Sequence, residues 1–243
     1  MIDNMYICIK MMIMNLTEAI FERHSVRDYL DMPLAGELVS VLKERIKEVN
    51  AESGLHVQLV VDEPLAFKGI RSYGKFHGVS DYIVMAGRKS ADLDTLVGYY
   101  GEQLVLYAQT LGLNTCWVGM THGKTAGAFH LEADEKVACV IAVGYGATQG
   151  MRHKIKTVDQ VSNASSDTPA WFRQGVEAAL LAPTAVNQQK FSFDYLGQGA
   201  DGKGIVRLRK GFSVFGYTRM DSGIARLHFE LGAGVENFVW SED

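Results

Sequence analysis

The sequence predicts an α+β fold, and three observations predict it. Helical and alternating apolar stretches follow one another in mixed order, without the regular strand–helix alternation of a parallel α/β domain. One helical stretch, Asp92 to Leu111, is apolar around most of its girth, so it belongs at the centre of a fold or in an interface. A Gly-rich run from Gly197 to Gly204 reads as a hairpin loop between two alternating strands.

In order along the chain, Asn15 and Glu18 frame a capping box for a helix that carries Leu16, Ile20 and Phe21 inward and ends near Arg23. Leu34, Leu38, Val41, Leu42, Ile46 and Val49 keep a 3.6 period for a second helix, which Gly54 stops. Val57, Leu59 and Val61 alternate as a strand, and Tyr82 to Ala86 is a more fully buried one. The long helix ends at Gly112. Short strands are expected at Thr115–Val118 and Val137–Val143. The loop Gly144 to Gly150 then opens into Arg152-His153-Lys154-Ile155-Lys156. Residues 161–167 are polar and turn-prone, the candidate linker. Beyond them come a helix with Pro169 in its first turn, strands around Phe191–Tyr195 and Ile205–Arg209, and a last helix capped by Asp221. Val235 to Trp240 is a possible closing strand. This divides the chain into an extension (1–14), a large half (15–160), the linker (161–167) and a smaller half (168–243).

A net charge of −4 argues against a general nucleic-acid or anionic-membrane binder, so any anion site must be a local cluster of cations. Three cysteines without paired spacing fit a reducing, cytoplasmic setting and supply no disulfide framework or zinc site. The seven histidines are scattered without metal-ligand spacing, so no metal is expected. No run approaches the roughly 20 apolar residues of a membrane helix. Residues before Met14 are either a translated leader or an arm packed on the domain.

Two basic clusters stand out. Arg23-His24-Ser25-Val26-Arg27 offers guanidinium, imidazole and hydroxyl donors that suit a phosphate. Its plain alternative is a solvated helix end, where cations are favoured anyway. Arg152, Lys154 and Lys156 are either a second anion contact or a solvated loop. Gly144-Tyr145-Gly146-Ala147-Thr148-Gln149-Gly150 only loosely imitates a dinucleotide fingerprint and leads into a basic loop rather than a helix.

Taken with Gly112-Leu113-Asn114-Thr115-Cys116-Trp117-Val118-Gly119 and Ala182-Pro183-Thr184-Ala185-Val186-Asn187-Gln188-Gln189, the first cluster resembles the FMN-dependent nitroreductase family. The resemblance runs from Leu16 to Ala233. It implies a mixed, mostly antiparallel sheet with flanking helices and a central buried helix. Arg23, His24, Ser25 and Arg27 would then contact the flavin, with Arg27 the foremost phosphate ligand. Arg152, Lys154 and Lys156 would close the phosphate from the other side. Val118 and Gly119 would present backbone amides toward flavin N5. Ser72 and Lys75 fall where the family places polar and cationic groups near N1 and O2, and such a charge stabilises anionic reduced flavin. Pro183, Thr184 and Asn187 would lie against the ring and ribityl chain, although Pro183 alone also explains a helix stop. Cys116 is expected as a buried small residue rather than a nucleophile.

One departure is informative. The family's Pro-Ser-x-x-Asn segment normally follows the Arg-x-Ser-x-Arg segment closely and serves the partner subunit's flavin. Here its counterpart appears only after the linker, with Gln189 where the family usually has Pro. The chain therefore resembles a subgroup with two fused, pseudo-symmetric halves, a monomer mimicking the family dimer, with further dimerisation possible. The implied function is hydride transfer from NAD(P)H through FMN to a nitroaromatic or quinone acceptor, with no catalytic side chain. The alternatives are a flavin sensor or store without turnover, and a degenerate apo interaction domain.

Overall fold

Each half of the polypeptide builds its own sheet. A computed structural model describes residues 14–67, 76–119, 127–214 and 216–241. The chain forms two compact units, 1–152 and 153–243. The boundary falls ahead of the polar stretch 161–167, which belongs to the second unit: Ser162 bridges Phe193, and the Asn163 amide pairs with the Tyr195 backbone.

In the first unit, α1 (Leu16–Glu22) starts on a complete Asn15/Glu18 capping box, each bond 2.9 Å long. It buries Ala19 and Ile20, and Arg23 follows on the same stripe at helical spacing. Phe21 lies off that stripe and is 56% exposed, against expectation. The second helix, α2 (Gly36–Ser53), buries Leu42, Ile46 and Val49 and ends at Gly54, whose φ of 69° is the usual left-handed stop. Strands β1 (Gln58–Val60), β2 (Asp81–Arg88), β3 (Asn114–Val118) and β4 (Glu135–Gly144) form one antiparallel sheet in the order β1-β2-β4-β3. Helix α3 (Leu93–Thr110) packs on β2, β3 and β4 and also meets α1 and α2. Those neighbours account for its apolar girth, so it is the central buried helix of this unit.

The second unit begins with the single turn α4 (Val158–Val161) and the helix α5 (Ala170–Leu180). Strands β5 (Phe191–Gln198) and β6 (Gly204–Lys210) pair as an antiparallel hairpin. Helix α6 (Thr218–Ala233) follows, and β7 (Phe238–Trp240) adds to β6 in parallel. So small a unit relies on aromatic packing: Phe193 stacks on Phe229 with centroids 4.6 Å apart, and Phe172 and Phe238 meet the Phe229 ring. Helices α5 and α6 pack so closely that a Cβ at Gly232 would lie 2.5 Å from the Ala178 Cβ. Asp221 does not cap α6. The helix begins three residues earlier, after Tyr217 (φ 62°), which leaves Asp221 in the first turn and free to bond elsewhere. Among the described residues, no helix is long and apolar enough to cross a membrane.

Candidate functional site

Beyond α1 the chain does not loop away but lies along the free edge of β3. The Val26 N–H donates to the Thr115 carbonyl (3.0 Å), and Ser25 bridges Thr115 in parallel. His77 and Arg27 bond through their backbones (3.0 Å), and the Leu30 N–H reaches the Tyr145 carbonyl (2.8 Å). The extended backbone alternates its side chains: Val26 is in the core, while Ser25 is half-buried and Arg27 exposed. His24 is half-buried beside them.

Arg23 takes a different position. Its side chain is buried, with Nε 3.8 Å from a carboxylate oxygen of Glu102, itself buried on α3. The other Glu102 oxygen accepts from the Trp117 indole N–H at 2.9 Å. Burial lowers the Arg23 pKa, and the Glu102 charge partly restores it. The Arg23 Nε nonetheless has no hydrogen-bond acceptor. Next to this group, burial pushes the Cys116 thiol up, against the pull of Arg27, Arg23 and a bond from Ser25, so the thiol stays protonated and inert.

The loop 144–150 is packed against this rib, which explains its glycines without a dinucleotide. A Cβ at Gly150 would lie 2.8 Å from the His24 Cβ, and its φ of 72° suits glycine. A Cβ at Gly146 would lie 2.6 Å from Asn114 Oδ1, which accepts the Gly146 N–H at 3.0 Å. The close approach at Gly150 brings the chain past His24 and Ser25 two residues before the exposed Arg152. Val118 is buried at the end of β3, and Gly119 is half-buried and engaged. Ser72 and Lys75 lie outside the described residues.

In the second unit, Lys154, Lys156 and the 183–189 turn converge. The Lys154 carbonyl accepts from the Asn187 side-chain amide (2.8 Å) and from the Gln189 amide (2.9 Å). The Lys156 ammonium donates to the Gln189 carbonyl (2.6 Å), and its backbone N–H donates to Gln189 Oε1 (2.9 Å). Partial burial, then the nearby Lys190, lowers the Lys156 pKa. Thr184 Oγ accepts the Gln189 N–H at 3.1 Å. Lys156 and Asn187 therefore shape the turn, while Lys154 keeps an exposed side chain and Pro183 is half-buried.

Gln189 also accounts for the missing proline. Its φ is 45°, which a pyrrolidine ring fixed near −65° cannot adopt. Three residues that build this turn, Gln188, Gln189 and, from α6, Asp221, were not among the site residues expected from the sequence. The Asp221 carboxylate, 3% exposed, accepts from the Ala185 N–H (3.0 Å) and the Gln188 amide (2.6 Å). A contact 36 residues away along the chain leaves no local signal.

The donor set suits an FMN phosphate. Along the rib stand Ser25 and the exposed Arg27, and a phosphate offers only acceptor oxygens and negative charge; Arg23, turned into the core toward Glu102, is not among these donors.

No curated protein matches the sequence. The crystal structure of a "putative nitroreductase" from Thermotoga maritima aligns with 90% of this chain and 83% of its own, at 24% identity and a TM-score of 0.62. A nitroreductase structure "in complex with FMN" from Desulfovibrio desulfuricans aligns with 64% of this chain and 99% of its own, at 18% identity and a TM-score of 0.50. At such identities both report on the fold alone, which is nitroreductase-like and α+β. The family model described as "Putative TM nitroreductase" matches residues 15–233, and the chain belongs to that family.

Proposed function

We propose that the chain is an FMN-dependent oxidoreductase that transfers a hydride from NAD(P)H, through the flavin, to a nitroaromatic or quinone acceptor. The observation that carries this reading is the rib at residues 23–27, bonded to β3, with Ser25 half-buried and Arg27 exposed.

When bound, FMN supplies the two-electron redox chemistry. Arg27 and Ser25 would hold its phosphate, with Arg152 and Lys154 contributing charge. The Val118–Gly119 backbone would face N5, where an N–H stabilises negative charge without titrating. Pro183 and Thr184 would lie against the ring and ribityl chain. We read the chain as a cytoplasmic monomer standing in for a family dimer, its partners being small molecules rather than nucleic acid or membrane.

The test is anaerobic stopped-flow mixing of FMN-loaded protein with NADH and with NADPH. Flavin bleaching by at least one, and reoxidation by menadione or a nitroarene with ping-pong kinetics, is the expected result. No bleaching by either nucleotide overturns the reductase reading in favour of a flavin store.

A further inference from the structure

The turn between Thr184 and Gln189 has a backbone that its side chains do not favour. Val186, Asn187 and Gln189 have φ values of 48°, 54° and 45°. A β-branched residue in the left-handed region is a genuine outlier, and such outliers persist only where their surroundings over-determine them. On one flank the surroundings are the Lys154–Lys156 backbone and the Lys156 ammonium. On the other flank, among the described residues, Asp221 reaches in from the first turn of α6.

Both Asp221 oxygens are committed to the turn, one to the Ala185 N–H and one to the Gln188 amide, which also donates to the Gly216 carbonyl at 3.1 Å. Among the described residues no ion pair compensates this buried carboxylate, and burial pushes it up to about 6. A buried carboxylate without a cation and three left-handed residues are both unfavourable, and they meet in one turn. Stability alone would be served better by glycines at positions 186, 187 and 189 and a neutral residue at 221. Such arrangements are kept at sites where shape is needed for binding.

We propose that Asp221 is a positioning residue that holds Ala185–Gln189 in the left-handed turn presenting Pro183, Thr184 and the exposed Val186 to the flavin. This rests on the FMN reading. Asp221 touches no substrate and acts only through Ala185 and Gln188.

The experiment compares wild type, Asp221→Ala, Asp221→Asn and Gln188→Ala by amide hydrogen exchange without FMN and by FMN fluorescence titration. In Asp221→Ala, exchange at 185–189 should accelerate, and the FMN Kd rise, by at least about tenfold, as expected when buried donors lose their acceptor. Exchange in β5 should not change. Asp221→Asn keeps an acceptor oxygen for the Ala185 N–H and should recover both readouts to within about threefold. Gln188→Ala removes one contact without touching α6, so it loosens the turn even if Asp221→Ala fails to fold. Unchanged exchange at 185–189 in these variants overturns the proposal, as does a loosened turn with unchanged FMN affinity. Wild-type protein that binds no FMN overturns the flavin reading itself, a result separable from normal wild-type binding that ignores Asp221.

Discussion

Arg27 and Asp221 show what a single residue can and cannot reveal. Arg27 is an exposed cation on a rib whose backbone is fixed at both ends, so replacing it alters charge without disturbing packing. Arg27→Glu should weaken FMN by at least about 30-fold, the low end of losing a charge partner at a phosphate. Its melting temperature should match wild type, and fluorescence titration with a thermal melt checks both. Asp221 makes a prediction of the opposite kind. Its folded pKa is raised from the ordinary 3.8 to about 6, so the folded state binds the proton more tightly than the unfolded chain. The stability it contributes is full below pH 3.8 and is lost as pH rises through about 6. At 1.36 kcal/mol per pH unit the difference is worth about 3 kcal/mol at most. Relative to wild type, Asp221→Asn should therefore gain stability between pH 4 and pH 8 by up to that amount, read from urea melts at each pH. The arginines were legible because charge clusters are local. The role of Asp221 was not, since its partners arrive through tertiary structure. Arg23 was legible as a cation, but its burial against Glu102 depends on where α3 crosses α1.

At the scale of elements, periodicity located nearly every helix and strand, and errors fell where tertiary contacts choose the boundary. The α2 start moved by two residues and the α6 cap by four, and the single turn α4 carries too short a pattern to be seen. Helix α3 illustrates the gain from structure. Its apolar girth predicted a central position, but not that Gly101 would lie against the Trp117 ring of β3. A Cβ there would lie 2.5 Å from Trp117 Cη2 and 3.2 Å from Met85 Cε. Gly101→Ala must displace the indole that donates to Glu102, and with it the end of β3 that leads to Val118 and Gly119. The expected cost is about 1–3 kcal/mol, as for other overpacked cores, with a shift in tryptophan emission. Gly36→Ala meets nothing within 4 Å and serves as the control, with a change of no more than about 0.5 kcal/mol. Equal melts for the two variants would mean that α3 and β3 yield at this contact.

At the scale of the whole molecule, what the sequence shows is a matter of counting motifs. The rib at 23–27 and the Gly112–Gly119 strand segment each occur once, in the first unit, and the Pro183–Gln189 turn occurs once, in the second. A dimeric relative with one copy of every segment per subunit has two of each and can build two equivalent flavin sites. A chain with one of each has the parts for one. The two units are also built differently: four antiparallel strands around a central helix in one, and a hairpin with a parallel third strand in the other. That difference is not the pseudo-symmetry expected of two fused halves. The second unit also lacks any Arg-x-Ser-x-Arg segment of its own. We therefore expect one FMN per chain. Acid release and absorbance of the flavin, set against protein concentration from amino-acid analysis, gives the ratio directly. A ratio near one in a species that sediments as a monomer supports the fused arrangement. Two flavins per chain would overturn it, and one flavin found only in a dimer would mean that the chain still borrows residues from a second copy.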